Sequence, residues 1–208
     1  MNWHLYFDQL KDWKKLPAYK AEPRIDGLVG HYLPEFLGSV VGEKIQGVVP
    51  EFPLHISTLR PDIPSNQSWK VDFLLIGETH NWLVEFKTDS GSRREAQDEY
   101  LAAAKRMGTD AILDGIRKIE KATMSRYRHK YAHLLAKLRS FGLVDQENAW
   151  TGKNPQLEIV YVQPHRTSSI VSENVVDFCQ IAEWLECVHP DAEFEKAFAD
   201  ALRGWAGD

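Results

Sequence analysis

The chain has 208 residues, 43% hydrophobic and 26% charged, and a net charge of −5 at neutral pH. Those proportions suit one soluble domain, residues 1–208, with a sizeable core. The negative balance counts against a broad, non-specific coat on nucleic acid, while leaving room for a local basic surface.

No apolar run is long enough to span a bilayer. The start, Met1-Asn2-Trp3-His4-Leu5-Tyr6-Phe7-Asp8, lacks the apolar core of a signal peptide, so a cytoplasmic protein with no membrane partner is expected. The two cysteines, Cys179 and Cys187, are eight residues apart. On one helix that is about 12 Å along the axis, too far for a disulfide.

In chain order, Trp3, Phe7 and Leu10 have helical spacing and predict a short amphipathic helix. Residues 25–43 predict a helical region interrupted near Pro34. Residues 45–56 read as a strand that Pro50 and Pro53 place at an edge or a bulge. A polar loop over 57–69 leads into two apolar runs. Ser92-Arg93-Arg94-Glu95 is a capping box opening a helix that Gly108 ends. Residues 110–141 are helical but long for one helix. Leu157–Val162 predicts another strand. Two C-terminal helices follow, the last with Phe194, Ala197, Phe198, Ala201, Leu202 and Trp205 on one face.

The two apolar runs carry the chemistry. They are Val71-Asp72-Phe73-Leu74-Leu75-Ile76 and Leu83-Val84-Glu85-Phe86-Lys87. Charge inside an apolar strand is costly unless it is paired or binds metal. Side chains alternate faces, so Glu85 and Lys87 share one face with Leu83. For Asp72 to project from that same face in a bulge-free antiparallel hairpin, the loop within Gly77–Asn81 must hold an even number of residues. An ion-pair cluster on a solvated strand face is the competing explanation.

Asp72, twelve intervening residues and then Glu85-x-Lys87 resembles the PD-(D/E)xK nuclease superfamily. The proline that leads the superfamily motif is replaced by Val71. The order of elements over residues 25–163 is similar to that superfamily's core, whereas the motif likeness is confined to 71–97. The resemblance implies an α/β fold with a restriction-endonuclease-like core (αβββαβ, a central mixed sheet flanked by helices) and additional C-terminal helices. It implies metal-dependent hydrolysis of phosphodiester bonds, with nucleic acid, DNA foremost, as partner. A homodimer is compatible, since cutting both strands of a duplex often uses two active sites.

Asp72 and Glu85 are the expected carboxylate ligands of Mg²⁺ or Mn²⁺, a hard cation that takes oxygen donors. The Phe86 carbonyl is a third candidate ligand. Lys87 is expected to orient the attacking water and stabilise developing charge. Gln97, early in the next helix, is expected to touch phosphate or water, with Arg93 on the same face. Glu35 is the candidate acidic residue of the first helix, with Glu43 and Glu51 as alternatives. A catalytically silent module on the same fold, binding nucleic acid or protein, is the second functional class.

The segment Arg117–Arg139 is rich in Lys and Arg, with Tyr127 and Tyr131 interleaved. It suits phosphate contacts as well as a solvated helix face. His129 and His133 have the spacing of a helical zinc pair, but no third ligand or accompanying Glu is evident, so they are assigned to the basic surface or to the edge of the core.

Overall fold

A computed structural model describes residues 2–13, 16, 22–88, 95–166 and 174–207. Seven helices and five strands occur among them. The chain is α/β, and its strands form one mixed sheet in the order β1-β2-β3-β4-β5. The described chain divides into two compact units.

The first unit is Met1–Phe36, Glu85–Arg93 and Val160–Asp208. Its helices are α1 (Trp3–Trp13), most of α2 (Glu22–Val41), α6 (Phe178–Val188) and α7 (Glu193–Ala206). Aromatic packing dominates its core. The Phe7 ring of α1 stacks on Phe198 of α7 at 5.4 Å and meets Trp205 edge-on at 6.3 Å. Ala197, Phe198, Leu202 and Trp205 are all buried, which is the α7 face that the sequence pattern predicts. Strand β5 (Asn174–Asp177) runs parallel to the end of β4 (Leu157–Gln163). Asp177 then caps α6: its carboxylate accepts from Gln180 N while Gln180 Oε1 accepts from Asp177 N.

The second unit is Leu37–Val84 and Arg94–Ile159. It contains β1 (Ile45–His55), α3 (Ile56–Leu59), β2 (Ser68–Gly77), most of β3 (Asn81–Phe86), α4 (Glu95–Ala122) and α5 (Ser125–Ser140). β1 is an edge strand with a register shift between Ile45 and Gly47, so Pro50 and Pro53 sit where missing N–H donors cost least. β2 and β3 form an antiparallel hairpin with an unbroken register from Phe73↔Val84 to Ile76↔Asn81. Gly77 N donates to His80 O at 2.9 Å, closing a turn around Glu78 and Thr79. The loop is therefore even, as the parity of the two apolar runs requires.

Several sequence expectations need correction. Pro34 lies inside α2 and does not interrupt it. A proline there removes one helical hydrogen bond, but burial of the adjacent Leu33 and Phe36 holds the turn in place. The polar stretch after β1 opens with the short helix α3, and β5 had no clear signal in its four residues. Gly108 does break the helix, at φ +79°, yet α4 resumes at once on its far side. The long 110–141 stretch separates into the end of α4 and α5. The capping box at Ser92, with Arg93 and Arg94, lies outside the described residues. No helix among the described residues is long and apolar enough to cross a membrane.

Candidate active site

Strand β3 is buried at every position, in the middle of the five-stranded order. That position demands apolar side chains, yet the strand ends in Glu85 and is followed by Lys87, 1% and 6% exposed. Lys87 Nζ donates to Glu85 Oε1 at 2.5 Å. Two residues apart on extended backbone, the pair shares a face. Each charge offsets the burial cost of the other, as buried ions require. Their burial excludes the solvated ion-pair cluster for these two residues.

The backbone here is fixed by β4. Lys87 N donates to Val162 O at 2.8 Å, and Asn81 N donates to Gln156 O at 3.1 Å. Both strands ascend together through these bonds, as parallel neighbours do. In a parallel ladder the Lys87 bond to Val162 O sets Lys87 beside Gln163. Gln163 is 5% exposed, and its amide donates to His165 O at 2.6 Å. The nuclease-like motif does not include Gln163. Its only signal was a polar residue closing an otherwise apolar strand just before Pro164. On the opposite face of β3, Phe86 stacks on Phe178 at 5.8 Å.

Asp72 lies on β2, half-buried between the buried Val71 and Phe73. The β1–β2 ladder steps from Pro50↔Phe73 to Phe52↔Val71, which puts Glu51 on the rung of Asp72. Glu51 has φ +51° and pairs with Lys70 at 2.9 Å, both side chains well exposed. Gln97 is half-buried in the first turn of α4. One turn on, Tyr100 stacks on Trp69 at 5.0 Å and donates to Lys70 O, so α4 is moored beside the start of β2. Strand alternation gives Trp69 and Asp72 opposite faces of β2.

The three acidic alternatives have different surroundings. Glu35 is exposed on α2. Glu43 is engaged in the hairpin turn. Its Oε2 accepts from Thr79 N at 2.9 Å and Thr79 Oγ1 at 2.7 Å, and its Oε1 accepts from Trp82 Nε1 at 2.8 Å. These bonds overcome the opposing effect of burial and hold its carboxyl below the usual range, with His80 adding to the effect. A Cβ at Gly77 would come within 2.8 Å of this carboxylate and of His80 O, so only glycine fits the turn beneath it. Glu43 is therefore a clasp on the hairpin, an assignment its position before β1 did not reveal.

Among the described residues no group of three or more His, Cys, Asp or Glu is arranged to hold a metal ion. His129 and His133 are both exposed on α5. Comparison with known protein families, with curated proteins and with solved structures returns no match.

Proposed function

We propose that this chain is a divalent-metal-dependent phosphodiesterase acting on nucleic acid, with a restriction-endonuclease-like core. The observation that carries it is the buried Glu85–Lys87 pair at the end of a central apolar strand. Replacing a buried ion pair with apolar residues is often neutral or stabilising, so stability alone gives little reason to keep one there. The hairpin register supports the same reading. It runs unbroken from Phe73↔Val84 to Ile76↔Asn81, with the even loop that the two apolar runs call for. Setting aside the short α3 and the additional α5, the order α2, β1, β2, β3, α4, β4 also has the sequence of elements such a core needs.

The donor chemistry fits a hard cation: Asp72 and Glu85 would supply carboxylates, with the Phe86 carbonyl beside them. Mg²⁺ commonly takes only one or two carboxylates, the rest of its shell being water and substrate phosphate, so a three-residue protein cluster is not required. When bound, the ion lowers the pKa of a water and neutralises phosphate charge. Lys87 orients the nucleophilic water with an ammonium donor. Its pairing with Glu85 fixes the long side chain in one place, so little ordering remains to be done during reaction. Gln97 serves as an auxiliary polar contact.

Mg²⁺ and Mn²⁺ are titrated calorimetrically into wild type and Asp72→Asn, and cleavage of labelled DNA and RNA is followed with each metal. The wild type binds metal and cleaves. Asp72→Asn loses metal binding, and its cleavage falls by roughly 100-fold or more. Equal cleavage rates in wild type and Asp72→Asn sink the assignment. A wild type that binds nucleic acid but neither binds metal nor cleaves supports the silent module.

A further inference from the structure

The charge along α5 and the end of α4 is one-sided. From Lys121 to Phe141 there is no acidic residue, while Lys121, Arg126, Arg128, Lys130, Lys137 and Arg139 are cationic. At 100° per residue, Arg126, Lys130, His133 and Lys137 fall within a narrow stripe extending about 17 Å along the axis, flanked by His129. The buried residues Leu135 and Leu138 lie on the other side of the helix. From Met124 to Lys130 every residue is exposed, so the first turns of α5 are open to solvent all round.

An ordinary solvated face mixes charges of both signs at favourable spacings. This one does the reverse. Like charges four residues apart destabilise a helix. Arg126 sits at the positive end of the helix dipole, where the first turn holds no acidic residue to complement it, while Arg128 pairs with Glu120 of α4 at 3.7 Å. Arg126 lies over the Tyr127 ring at 4.6 Å, which stiffens the ridge.

We infer that the outer face of α5 binds the backbone of double-helical DNA, its exposed N-terminal turns entering the major groove. The stripe carries no Phe, Tyr or Trp, and the neighbouring Tyr127 ring is already taken up by Arg126 and Lys130, which leaves little stacking platform for a single-strand binder. An α-helix fits the roughly 12 Å major groove of B-form DNA, whereas the narrow major groove of double-stranded RNA excludes it. The inference rests on the nucleic-acid part of the proposed function and needs no hydrolysis.

The test is fluorescence anisotropy with a 20-base-pair DNA duplex in EDTA, on wild type, Arg126→Glu/Lys130→Glu and, as a control, Lys196→Glu on α7. The wild type binds at low salt. The double variant binds roughly tenfold or more weakly, and its salt slope is shallower by about two, one per lost phosphate contact. Lys196→Glu stays within about twofold of wild type because Lys196 is an exposed charge outside the α5 stripe. Arg126→Ala/Lys130→Ala follows the same direction with a smaller loss. Unchanged binding in the reversal variant, no wild-type binding at low salt, or equal affinity for duplex RNA of the same sequence overturns the inference. A wild type that binds this duplex but cleaves nothing once metal is restored sinks hydrolysis and leaves the α5 surface standing.

Discussion

Lys87 Nζ lies 2.5 Å from Oε1 of Glu85, its neighbour two residues back on β3, with both side chains nearly inaccessible to water. Removing one partner of such a pair strands the other charge in the interior. Lys87→Met is therefore expected to lower unfolding free energy by about 3–5 kcal/mol, while Glu85→Leu/Lys87→Met recovers most of that loss. Urea denaturation measures all three proteins. A single variant costing under about 1 kcal/mol would show that water reaches the pair. The double variant also separates chemistry from folding, because it is expected to be stable and inactive.

Glu43 clasps the β2–β3 turn through Thr79 and Trp82. Glu43→Gln keeps the shape but weakens bonds to a charged acceptor, at a cost of about 1.5–3 kcal/mol at pH 7. The folded carboxyl titrates below its unfolded value of 4.5. Its contribution is thus fully present above pH 4.5 and fades as pH falls through the lower folded value. Wild type and Glu43→Gln should converge in thermal stability below that range. A gap that persists unchanged into strong acid would mean that the charge is not what holds the turn.

The hairpin parity and the edge position of β1 were legible in the sequence because both follow from local rules, strand alternation and the missing N–H of Pro50 and Pro53. Gly108 likewise announced its break, since few residues other than glycine accept φ +79°. What escaped depends on distant partners. Glu43 finds Thr79 and Trp82 some 36–39 residues away. Pro34 stays helical because tertiary burial outweighs a local preference. Gln163 becomes notable only once β4 brings it beside Lys87. The Glu85–Lys87 pair was legible as a motif, but its burial was not.

His55 ends β1 at 4% exposure, with Nδ1 at 2.9 Å from Thr58 Oγ1. Burial pushes its pKa below 6.5, and Lys118 pushes it further in the same direction. Between the folded value and 6.5 the unfolded chain binds more protons, so stability rises with pH across that window. The wild type should lose stability as pH falls from 7 toward 5, and His55→Leu should flatten that slope. Unfolding curves at a series of pH values decide it. An equal slope in both proteins would assign the acid sensitivity to other groups.

Asn154 adopts φ +49° with its side chain buried. Its Nδ2 donates to Gly77 O at 2.8 Å, and its carbonyl accepts from Thr109 Oγ1 at 2.6 Å. One residue therefore ties the hairpin turn to the Thr109 side chain of α4, just past Gly108. Two effects can be separated by substitution. Asn154→Gly removes the side-chain bonds but accepts the backbone angle, and should cost about 1–3 kcal/mol for the polar groups left unpaired. Asn154→Ala loses the same bonds and also pays the left-handed penalty, a further loss of about 1 kcal/mol or slightly more. Alanine should therefore be the worse replacement in urea or thermal unfolding, although it is ordinarily the better residue for an ordered chain. Equal stability of the two variants would show that the loop relaxes out of the left-handed region once the side chain is gone. Asn154 would then be holding the loop in that conformation rather than merely tolerating it.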